Sequence, residues 1–454
     1  MLVLAAPLLT RLYSPEDFGL LAVYVGLLAL LGVVSSLRYE LAIPLPEDDV
    51  DAANLAALSL LLVVLTTVLS VAFVALLATP IAHALGVPAL EDYLWLLPVG
   101  ILFSGSYNVF SYWSIRTKRF STIAGTKLRQ ALATIAIQIV GFKLGGLALL
   151  LGQVAGQSVG TAGLARPAFA SPAFNKISWR GIQQAAMRYH RFPVFTTWSG
   201  LANTAGHQLP PIMFAAFFSA SAAGLYALAH RVLTLPSNLI GSAIGNVFFS
   251  HGSDSYRNGR LTALYAGLQD KLVQIGLPPA ILLIVVGPDL FELLFGPNWR
   301  VAGNFAQWLA VGAFAGFVVS PLSMVFAILE KQDVGLLLQG FLFGARLIAI
   351  LTGAWLSDLL LTVALFSLAS LLGYSAYLVT MAKVTGSLLR WFWLSFSVSL
   401  AYSLLAMLPI AIVSFVEFSD DVLFLYVSVA LSIGIILIRY RFVAKHGFSS
   451  PKNI

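Results

Sequence analysis

The sequence predicts an all-α polytopic membrane protein with about fourteen transmembrane helices. Of its 454 residues, 59% are hydrophobic and 10% are charged, and the mean hydropathy is +0.90. Ordinary soluble domains carry about 25% charged residues. Apolar runs recur along the whole chain, and about 20 apolar residues are enough for a helix to cross the hydrocarbon core of a bilayer.

The first part of the chain predicts six helices. Residues 1–10 are apolar but too short to span a membrane, so we interpret them as the end of a first helix whose start is missing. The next five helices are predicted over residues 19–37, 55–77, 93–115, 131–140 and 145–164. The basic sequence RTKRFSTIAGTKLR is expected to be a loop, and the polar sequence PAFASPAFNKISWRGIQQAAMRYHR is expected to link two halves.

The second part predicts eight further helices. They are expected over residues 192–217, 217–247, 272–295, 304–329, 334–356, 359–381, 391–415 and 422–440. Pro236 and the pairs at 210–211 and 278–279 lie inside these helices, where proline removes a backbone hydrogen bond and can produce a kink. Trp299, in the sequence PNW, is expected at the level of the lipid headgroups.

The basic residues fall almost entirely on one side of this topology. That side carries Arg38, Arg116, Lys118, Arg119, Lys127, Arg129, Arg166, Lys176, Arg180, Arg188, Arg191, Arg257, Arg260, Lys271, Lys331, Lys383, Arg390 and the basic tail. The other side carries Arg11, Lys143 and Arg300. The positive-inside rule makes the basic side, including the C-terminus, cytoplasmic. The net charge of +7 therefore reflects topology, and we infer no nucleic-acid partner from it.

Arg231 is the leading candidate for a functional residue. It lies about eleven residues into an apolar stretch counted from Ala220, close to the middle of the bilayer. A charged side chain there costs at least about 2.5 kcal/mol and normally faces a bundle interior or a wet cavity. Thr234, Asn238, Ser242 and Asn246 follow it at helical spacing, which predicts a polar stripe. The alternative is an arginine that packs against a neighbouring helix.

Other polar residues inside predicted helices, and Arg38 at the cytoplasmic end of the second one, extend this candidate path. They are Arg346, Arg38, Asn203, His207, Asn108, Gln153 and Gln157. Arginine binds phosphate through two parallel hydrogen bonds, and amides can bind sugar hydroxyls. Each residue also has a purely structural interpretation. An arginine can pack against a neighbouring helix, a histidine can form a buried hydrogen bond, and Asn and Gln often join membrane helices.

The residue inventory weighs against other functions. The chain has no cysteine, and its six histidines form no metal-binding motif, so no metal or cofactor is expected. A membrane enzyme such as a glycosyltransferase or polymerase would need paired carboxylates or a sizeable loop, and we find neither. A small-molecule antiporter would need a carboxylate deep in a span, whereas Glu40 and the other candidates lie toward helix ends.

An internal repeat predicts two halves. The sequence LYSPEDFGLLA at residues 12–22 matches FFSASAAGLYA at residues 217–227 when the chain is shifted by 205 positions, so that Ser14 meets Ser219 and Gly19 meets Gly224. The match pairs the second predicted helix with the eighth, as parallel six-helix halves would. We therefore expect an N-terminal lobe over residues 1–180, a C-terminal lobe over 181–385, and two added helices with a tail over 386–454.

The chain resembles the oligosaccharide flippase (Wzx-like, polysaccharide export) family of the multidrug/oligosaccharidyl-lipid/polysaccharide superfamily. The resemblance rests on RLYSPEDFGLLAVY, LRYELAIPLPEDD, RVLTLPSNLIGSAIGNVFF and FGPNWRVAG and covers nearly the whole chain. It implies two six-helix lobes around a central cavity that opens alternately to each side. Fourteen helices rather than twelve would depart from many members.

The resemblance also implies an activity, a location and partners. The expected activity is the movement of undecaprenyl-diphosphate-linked oligosaccharide across the bacterial inner membrane. The repeat unit would belong to O-antigen, capsule or exopolysaccharide. A polysaccharide polymerase and chain-length machinery are the expected protein partners, beside the lipid bilayer itself. A drug antiporter of the same superfamily is the alternative within transporters.

Overall fold

The computed structural model describes residues 5–415 and 422–445, and over these residues the chain is almost entirely helical with no β-strand. The predicted all-α class is confirmed. Eight of the described helical segments are long and apolar enough to cross a membrane. The protein is therefore a multi-pass membrane protein, while the total of fourteen spans stays a prediction.

Internal contacts divide the described chain into two compact units. Unit 1 contains the residues up to Leu228 together with Leu294–Trp299. Its α-helices are α1 (Ala6–Leu12), α2 (Pro15–Val34), α3 (Asp49–Ala84), α4 (Leu96–Arg116), α5 (Phe120–Val140), α6 (Gly146–Phe169), α7 (Trp179–Arg188) and α8 (Thr197–Phe217), and it ends within α9 (Ala220–Pro236).

Unit 2 contains Ala229–Leu293 and the residues from Arg300 onward. After the end of α9, its α-helices are α10 (Ser242–Arg257), α11 (Leu261–Phe295), α12 (Arg300–Val319), α13 (Val325–Ile328), α14 (Gln332–Trp355), α15 (Leu359–Thr385), α16 (Leu389–Ala406), α17 (Leu408–Phe415) and α18 (Val422–Lys445). The predicted lobe boundaries at residues 180 and 385 follow the repeat, not these contacts, and stay predictions.

The two copies of the repeated sequence begin their helices in the same way. The Ser14 hydroxyl accepts a hydrogen bond from the Asp17 backbone N–H at 3.2 Å, which caps α2. The Ser219 hydroxyl accepts one from the Ala222 backbone N–H at 3.1 Å, at the start of α9. Serine is a favoured N-cap because its hydroxyl satisfies a free N–H of the first turn. The residues that the sequence shift equates therefore have equivalent local structure.

The same two helices cross at a reciprocal glycine contact. A Cβ atom on Gly19 would lie 1.7 Å from the Ala220 carbonyl oxygen, and one on Gly224 would lie 1.9 Å from the Pro15 carbonyl oxygen. Pro15 and Ala220 are themselves equivalent in the repeat. Each glycine thus contacts the first residue of the other helix, as in a contact with local two-fold symmetry. Only glycine allows the backbones to approach this closely.

Helix α5 is longer than the sequence predicted. The segment RTKRFSTIAGTKLR was expected to be a loop, but α5 begins at Phe120 and includes Lys127 and Arg129. Its Thr134 and Gln138 side chains pack over Gly156 and Gly152 of α6, where a Cβ would lie within 3 Å of them. The prediction was wrong because lysine, arginine and glutamine are good helix formers that lower hydropathy without disfavouring a helix.

The eighth predicted helix contains a change of helical geometry. It was expected to run without interruption over residues 217–247, but a π-helix at Ser237–Gly241 separates α9 from α10 directly after Pro236. A π turn takes more residues than an α turn, so it shifts the faces of the two helices relative to a continuous α-helix. The predicted polar stripe therefore does not continue on one α-helical face.

Helix α11 bends at a position that the sequence analysis did not name. The expected kinks were at residues 278 and 279, but the non-helical backbone lies at Val286, just before Pro288. Proline cannot donate to the carbonyl four residues earlier, which here belongs to Ile284. The Gln307 side-chain amide of α12 donates to that Ile284 oxygen at 2.8 Å. A side chain of the next helix thus satisfies the group that proline leaves free.

Trp299 is buried, which contradicts its predicted place among the lipid headgroups. Its side chain is 0% exposed, and its indole N–H donates to the Thr10 carbonyl oxygen at 2.8 Å. The Phe18 ring meets it edge to face, with 4.9 Å between the ring centroids. Tryptophan is enriched at interfaces, but a satisfied indole N–H also permits full burial. The sequence FGPNW is therefore a packing motif of unit 1.

Arg116 organises the turn between α2 and α3. Its guanidinium donates to the Pro46 carbonyl oxygen at 2.5 Å and to the Glu47 carbonyl oxygen at 3.1 Å, and it pairs with Asp49 at 2.9 Å. The Arg116 side chain is only 10% exposed. Arginine has five donors in a rigid fork, so one side chain can hold several carbonyls of a loop.

We predict that Arg116→Ala destabilises the protein by about 2 kcal/mol, because hydrogen bonds from a charged group contribute about 1.5–3 kcal/mol. The measurement is the melting temperature of the purified protein in detergent. Arg257→Ala is the matched control, since Arg257 is 74% exposed and pairs with Asp254 on the same helix. Equal melting temperatures for Arg116→Ala and Arg257→Ala would show that Arg116 does not hold this turn.

Gly224→Ala is predicted to destabilise the protein by roughly 1–3 kcal/mol, the usual cost of overpacking. The new methyl group would overlap the Pro15 carbonyl oxygen and force α2 and α9 apart. Gly32→Ala in α2 is the control, because a Cβ at Gly32 meets no atom within 4 Å. A melting temperature for Gly224→Ala at or above that of the unaltered protein would contradict the close contact.

Candidate functional site

Four of the residues predicted from sequence lie together in a cavity of unit 1. The cavity has a volume of about 350 Å³. Arg38, Asn108, Gln153 and Gln157 line it, and they come from the end of α2, from α4 and from α6. The rest of the lining is Val25, Leu28, Ala29, Gly32, Val33, Ser104, Tyr107 and Gln130. The cavity thus combines one cation with neutral amides and hydroxyls above an apolar floor from α2.

Arg38 reaches the cavity from an unusual backbone turn. Leu37 and Arg38 both have left-handed conformations, with φ of 49° and 63°. Non-glycine residues rarely adopt this conformation, and functional sites are among the places where such strain is found. The Arg38 guanidinium lies against Gly200 of α8, where a Cβ atom would come within 2.5 Å of a guanidinium nitrogen. The left-handed turn and the missing side chain at Gly200 together allow the Arg38 guanidinium to reach the cavity.

A buried carboxylate accompanies Arg38. Glu40 is 2% exposed, accepts a hydrogen bond from the Ser36 hydroxyl, and lies 3.7 Å from the Arg38 guanidinium. Burial raises the pKa of Glu40, although the Ser36 hydrogen bond and the charge of Arg38 both act in the opposite direction. The sequence placed Glu40 at a helix end, which is correct, but it gave no sign that the carboxyl is buried.

Arg38 and Tyr107 retain unused hydrogen-bonding capacity. Within the part of the chain that the structure describes, the Arg38 Nε and the Tyr107 hydroxyl are buried without a hydrogen-bond partner. Buried polar groups almost always have a partner, so each exception requires an explanation. Both residues line the cavity. A polar ligand in the cavity could satisfy them.

The amides of the cavity form a connected row. The Gln130 side-chain amide of α5 donates to the Gln157 side-chain oxygen of α6 at 3.3 Å. A Cβ atom on Gly160 would lie 2.1 Å from the Gln130 amide nitrogen, so the missing side chain of this glycine makes room for Gln130. Amides both donate and accept, so this wall can bind hydroxyl groups in either sense.

Sequence reasoning missed Gln130 and Tyr107. Gln130 falls between the expected loop, which ends at residue 129, and the helix predicted from residue 131. A signal was present, because Thr126, Gln130, Thr134 and Gln138 recur every four residues, as do Gly152, Gly156 and Gly160 in the next helix. Matching rows of polar and small residues at this spacing are typical of two closely packed membrane helices.

The residues that line the cavity include one cation and no carboxylate. No Asp or Glu occurs between Asp92 and Asp254, so α4, α5 and α6 supply no acidic side chain to the lining. Arg38 is the charged side chain among the lining residues. Glu40 is not part of the lining but lies 3.7 Å from the Arg38 guanidinium. In a low-dielectric surrounding, such a charge acts strongly on an anion and repels a cation.

Arg231 lies in the part of α9 that belongs to unit 2. Its side chain is half-buried, and the structure shows no carboxylate within ion-pair distance of it among the described residues. The Thr234 hydroxyl donates to the His230 carbonyl oxygen at 2.8 Å and therefore stays close to the helix backbone. Arg231 is thus a cation inside an apolar helix without a described acidic partner.

The remaining predicted residues of α8 and α10 are exposed. Asn203 and His207 of α8 lie on the surface of unit 1, on the helical face that begins at Gly200. Asn246 of α10 is exposed in unit 2. The side chain of Asn238 lies outside the described part of the structure. Within unit 1, Asn203 and His207 therefore do not line the cavity that contains Arg38.

Arg346 of α14 packs against α15. It donates to the Ser370 hydroxyl at 2.9 Å and to the Tyr374 hydroxyl at 3.3 Å. Its guanidinium carbon lies 5.2 Å from the centroid of the Phe366 ring and 5.4 Å from that of the Tyr374 ring. These contacts are cation–π interactions that stabilise a desolvated arginine. They agree with the packing interpretation of Arg346 that the sequence left open.

A second cavity, in unit 2, is almost wholly apolar. Its volume is about 420 Å³, and α11, α12, α15 and α16 form its walls. Phe314, Phe392, Trp393 and Phe396 give it an aromatic lining, and Tyr374 contributes a hydroxyl. Among the described residues, no group of three or more metal-ligating side chains accompanies either cavity. The two cavities therefore have opposite chemistry.

Comparison with known proteins gives a family and a fold. A family model described as "Polysaccharide biosynthesis protein" matches residues 8–303. The teichuronic acid biosynthesis protein TuaB of Bacillus subtilis (strain 168) is 26% identical over 177 residues, which are 37% of this chain and 37% of TuaB. The succinoglycan biosynthesis transport protein ExoT of Rhizobium meliloti (strain 1021) is 24% identical over 339 residues, 73% of this chain and 66% of ExoT. The matches thus span less than two thirds of either relative.

Two solved structures share the fold at 13% sequence identity. The lipid II flippase MurJ, in an inward closed conformation, aligns with a TM-score of 0.75 over 98% of this chain and 97% of MurJ. An inward-facing multidrug resistance MATE transporter of the MOP superfamily aligns with a TM-score of 0.63 over 85% of this chain and 94% of the transporter. Because the family model covers more than half of the chain, the protein belongs to the polysaccharide biosynthesis protein family, on a fold shared with MurJ and MATE transporters.

Proposed function

We propose that the protein is a flippase that moves undecaprenyl-diphosphate-linked oligosaccharide across the bacterial inner membrane by alternating access. The observation that carries this proposal is the cavity of unit 1, in which Arg38 stands among neutral amides and hydroxyls with no carboxylate in the lining. A lipid-linked oligosaccharide has an anionic diphosphate, a hydroxyl-rich glycan and an apolar chain. The residues of the protein match each of these three parts.

Arginine residues suit the diphosphate. Arg38 has a buried Nε without a described partner, and Arg231 has no described carboxylate partner. A guanidinium pairs with phosphate through two parallel hydrogen bonds, and this pairing is strong where water is excluded. Their roles as two positions on the substrate path are part of the proposal. Asn203, His207, Asn238 and Asn246 would supply further polar contacts along that path.

Amides suit the glycan. Asn108, Gln130, Gln153 and Gln157 present both donors and acceptors toward a single cavity. Sugar hydroxyls also donate and accept, so they can replace the hydrogen bonds that such a wall makes to water. The apolar cavity of unit 2 suits a segment of the isoprenoid chain, because its aromatic and aliphatic walls offer almost no polar group.

The names of two of the similar proteins, ExoT and MurJ, support transport over an enzymatic reaction. ExoT is called a transport protein of succinoglycan biosynthesis, and MurJ is called a flippase of lipid II. We therefore favour transport over a membrane glycosyltransferase or polymerase. The proposal places the C-terminus in the cytoplasm and includes a polysaccharide polymerase and chain-length machinery as partners. The distribution of basic residues along the sequence supports that orientation.

A multidrug or small-molecule antiporter is the second candidate function. The observation that favours it is Glu40, a buried carboxyl next to the cavity in a chain with the MATE fold. An antiporter for cationic drugs would nevertheless place its substrate beside Arg38, which repels a cation. Restoration of surface polysaccharide and resistance to cationic drugs are therefore the two outcomes that separate the candidates.

We predict that Arg38→Gln and Arg231→Gln each lower polysaccharide export by roughly tenfold or more, since a charge-assisted hydrogen bond contributes about 1.5–3 kcal/mol. The measurement is surface polysaccharide in a flippase-null strain, divided by the amount of protein in the membrane. Arg257→Gln is the matched control because Arg257 is exposed on α10 and paired with Asp254.

Three results would count against the proposal. Full export by both arginine variants would remove these cations from the transport path. Failure of the unaltered protein to restore any polysaccharide, together with resistance to cationic drugs, would favour the antiporter. An equal loss in Arg257→Gln would show that the assay reports total charge and not the site.

For Arg346→Met we expect a different pattern. The substitution removes hydrogen bonds to Ser370 and Tyr374 and two ring contacts, so the melting temperature should fall by an amount equivalent to about 1–3 kcal/mol. Export per folded molecule should remain within about twofold of the unaltered protein, because Arg346 lines neither described cavity. A large loss of export at an unchanged melting temperature would instead place Arg346 on the substrate path.

A further inference from the structure

Helix α7 is held firmly on unit 1 by polar contacts at both ends. The Asn54 side-chain oxygen of α3 accepts a hydrogen bond from the Ser178 backbone N–H at 3.0 Å. At the other end, the Tyr39 hydroxyl donates to the Ala186 carbonyl oxygen at 3.1 Å. Ile182 and Ala185 are buried beneath the helix. The inner face of α7 is therefore packed against unit 1, and these contacts fix the orientation of the helix.

The outer face of α7 carries two parallel rows of side chains. Trp179 and Met187, which are 66% and 68% exposed, lie about two α-helical turns apart on one row, with the exposed Gln183 between them. Arg180 and Arg188 lie at the same spacing on the adjacent row and are exposed. Two large apolar side chains on the outer face of a helix whose inner face is already packed favour a second apolar environment. A basic row beside a tryptophan is typical of helices that lie in a membrane interface.

The charges on this face are not neutralised within the described chain. Lys176 and Arg191 flank the helix, and neither they nor the two arginines of α7 take part in any of the ion pairs among the described residues. The Arg188 guanidinium contacts the Tyr189 ring, with 5.5 Å to the centroid. The carboxylate of Asp49, at the start of the helix on which α7 packs, is paired with Arg116.

The neighbouring segment continues the same pattern. Phe195 and Trp198 follow α7 and are each 68% exposed. The chain has no acidic residue between Asp92 and Asp254. The surface from Lys176 to Trp198 thus combines basic side chains with exposed aromatic rings and contains no carboxylate. Its charge complements an anionic surface, and its aromatic rings fit the boundary between headgroups and acyl chains.

We propose that the outer face of α7 binds the headgroups of anionic phospholipids. Arg180 and Arg188 pair with lipid phosphates, while Trp179 and Met187 enter the interfacial layer beside them. The contact anchors the connection between α6 and α8 to the membrane surface. It does not depend on the proposed transport function, since it involves bulk lipid and residues that lie outside both cavities.

The experiment uses the full chain in lipid nanodiscs. Because the protein has no cysteine, Gln183→Cys creates a single thiol on the outer face, between Trp179 and Met187 in the same row. The thiol is labelled with bimane, and the nanodiscs contain phosphatidylcholine with an equal mole fraction of either brominated phosphatidylglycerol or brominated phosphatidylcholine. Quenching of the label by the brominated acyl chains measures the local concentration of each lipid.

We expect the apparent local concentration of phosphatidylglycerol to exceed that of phosphatidylcholine by roughly tenfold at low salt, since each basic residue near an anionic surface adds to the attraction. The preference should decrease as ionic strength rises. Arg180→Gln with Arg188→Gln should bring the ratio close to one. Arg257→Gln with Arg260→Gln removes the same charge from the exposed end of α10 and the turn that follows it, and should leave the ratio unchanged.

Several outcomes would overturn the proposal. Equal quenching by the two lipids in the labelled protein would show no preference for anionic headgroups. An unchanged ratio in the Arg180/Arg188 double variant would assign the preference to another surface. If aqueous iodide quenches the label and neither brominated lipid does, the outer face of α7 is in contact with water. Such a face would be available to a protein partner and not to lipid. The melting temperature of each variant verifies that these surface substitutions leave the fold intact.

Discussion

The reciprocal contact at Gly19 and Gly224 fixes how closely the starts of α2 and α9 approach each other in unit 1. Each glycine lies directly against the first residue of the opposite helix, Pro15 or Ala220. Lipid tails are as apolar as helix surfaces, so membrane helices gain little from hydrophobic burial and associate through close packing instead. Any side chain at either glycine would separate the backbones. This contact therefore helps to position α2, which also packs against α4, α6 and α8 and ends just before the turn carrying Arg38.

The cavity shows how a membrane protein places a charge where it is costly. Two consecutive left-handed residues turn the chain so that Arg38 leaves the end of α2 and meets Gly200. Glu40 lies behind the guanidinium and partly balances it, while the lining of the cavity adds amides and no carboxylate. The Arg38 guanidinium has one counterion at 3.7 Å, and its buried Nε has no described hydrogen-bond partner, which leaves a donor for the anionic ligand of the proposed function. Strain in the backbone and burial of Glu40 are the structural cost of this arrangement.

Packing in α5 and α6 explains the polar wall. Glycines at every fourth position of α6 let α5 approach so closely that Gln130 and Thr134 fill the space above them. Polar side chains at such a contact both join the helices and face the cavity at its edge, as the hydrogen bond between Gln130 and Gln157 shows. The packing role that the sequence left open for Gln157 is therefore observed, while ligand binding by the same side chain belongs to the proposed function.

The sequence by itself determined the fold class, most helix positions, the repeat and the residue types of the site, because hydropathy and turn chemistry are local properties. It also identified Arg38, Asn108, Gln153 and Gln157, since polar residues inside apolar helices stand out. The tertiary structure alone decided which of them converge. It buried Trp299 and Glu40, extended α5 through basic residues, and packed Arg346 against aromatic rings. The burial of a side chain and the convergence of residues on one cavity depend on contacts between residues far apart in the chain, such as Trp299 with Thr10. Local sequence patterns do not contain information about such contacts.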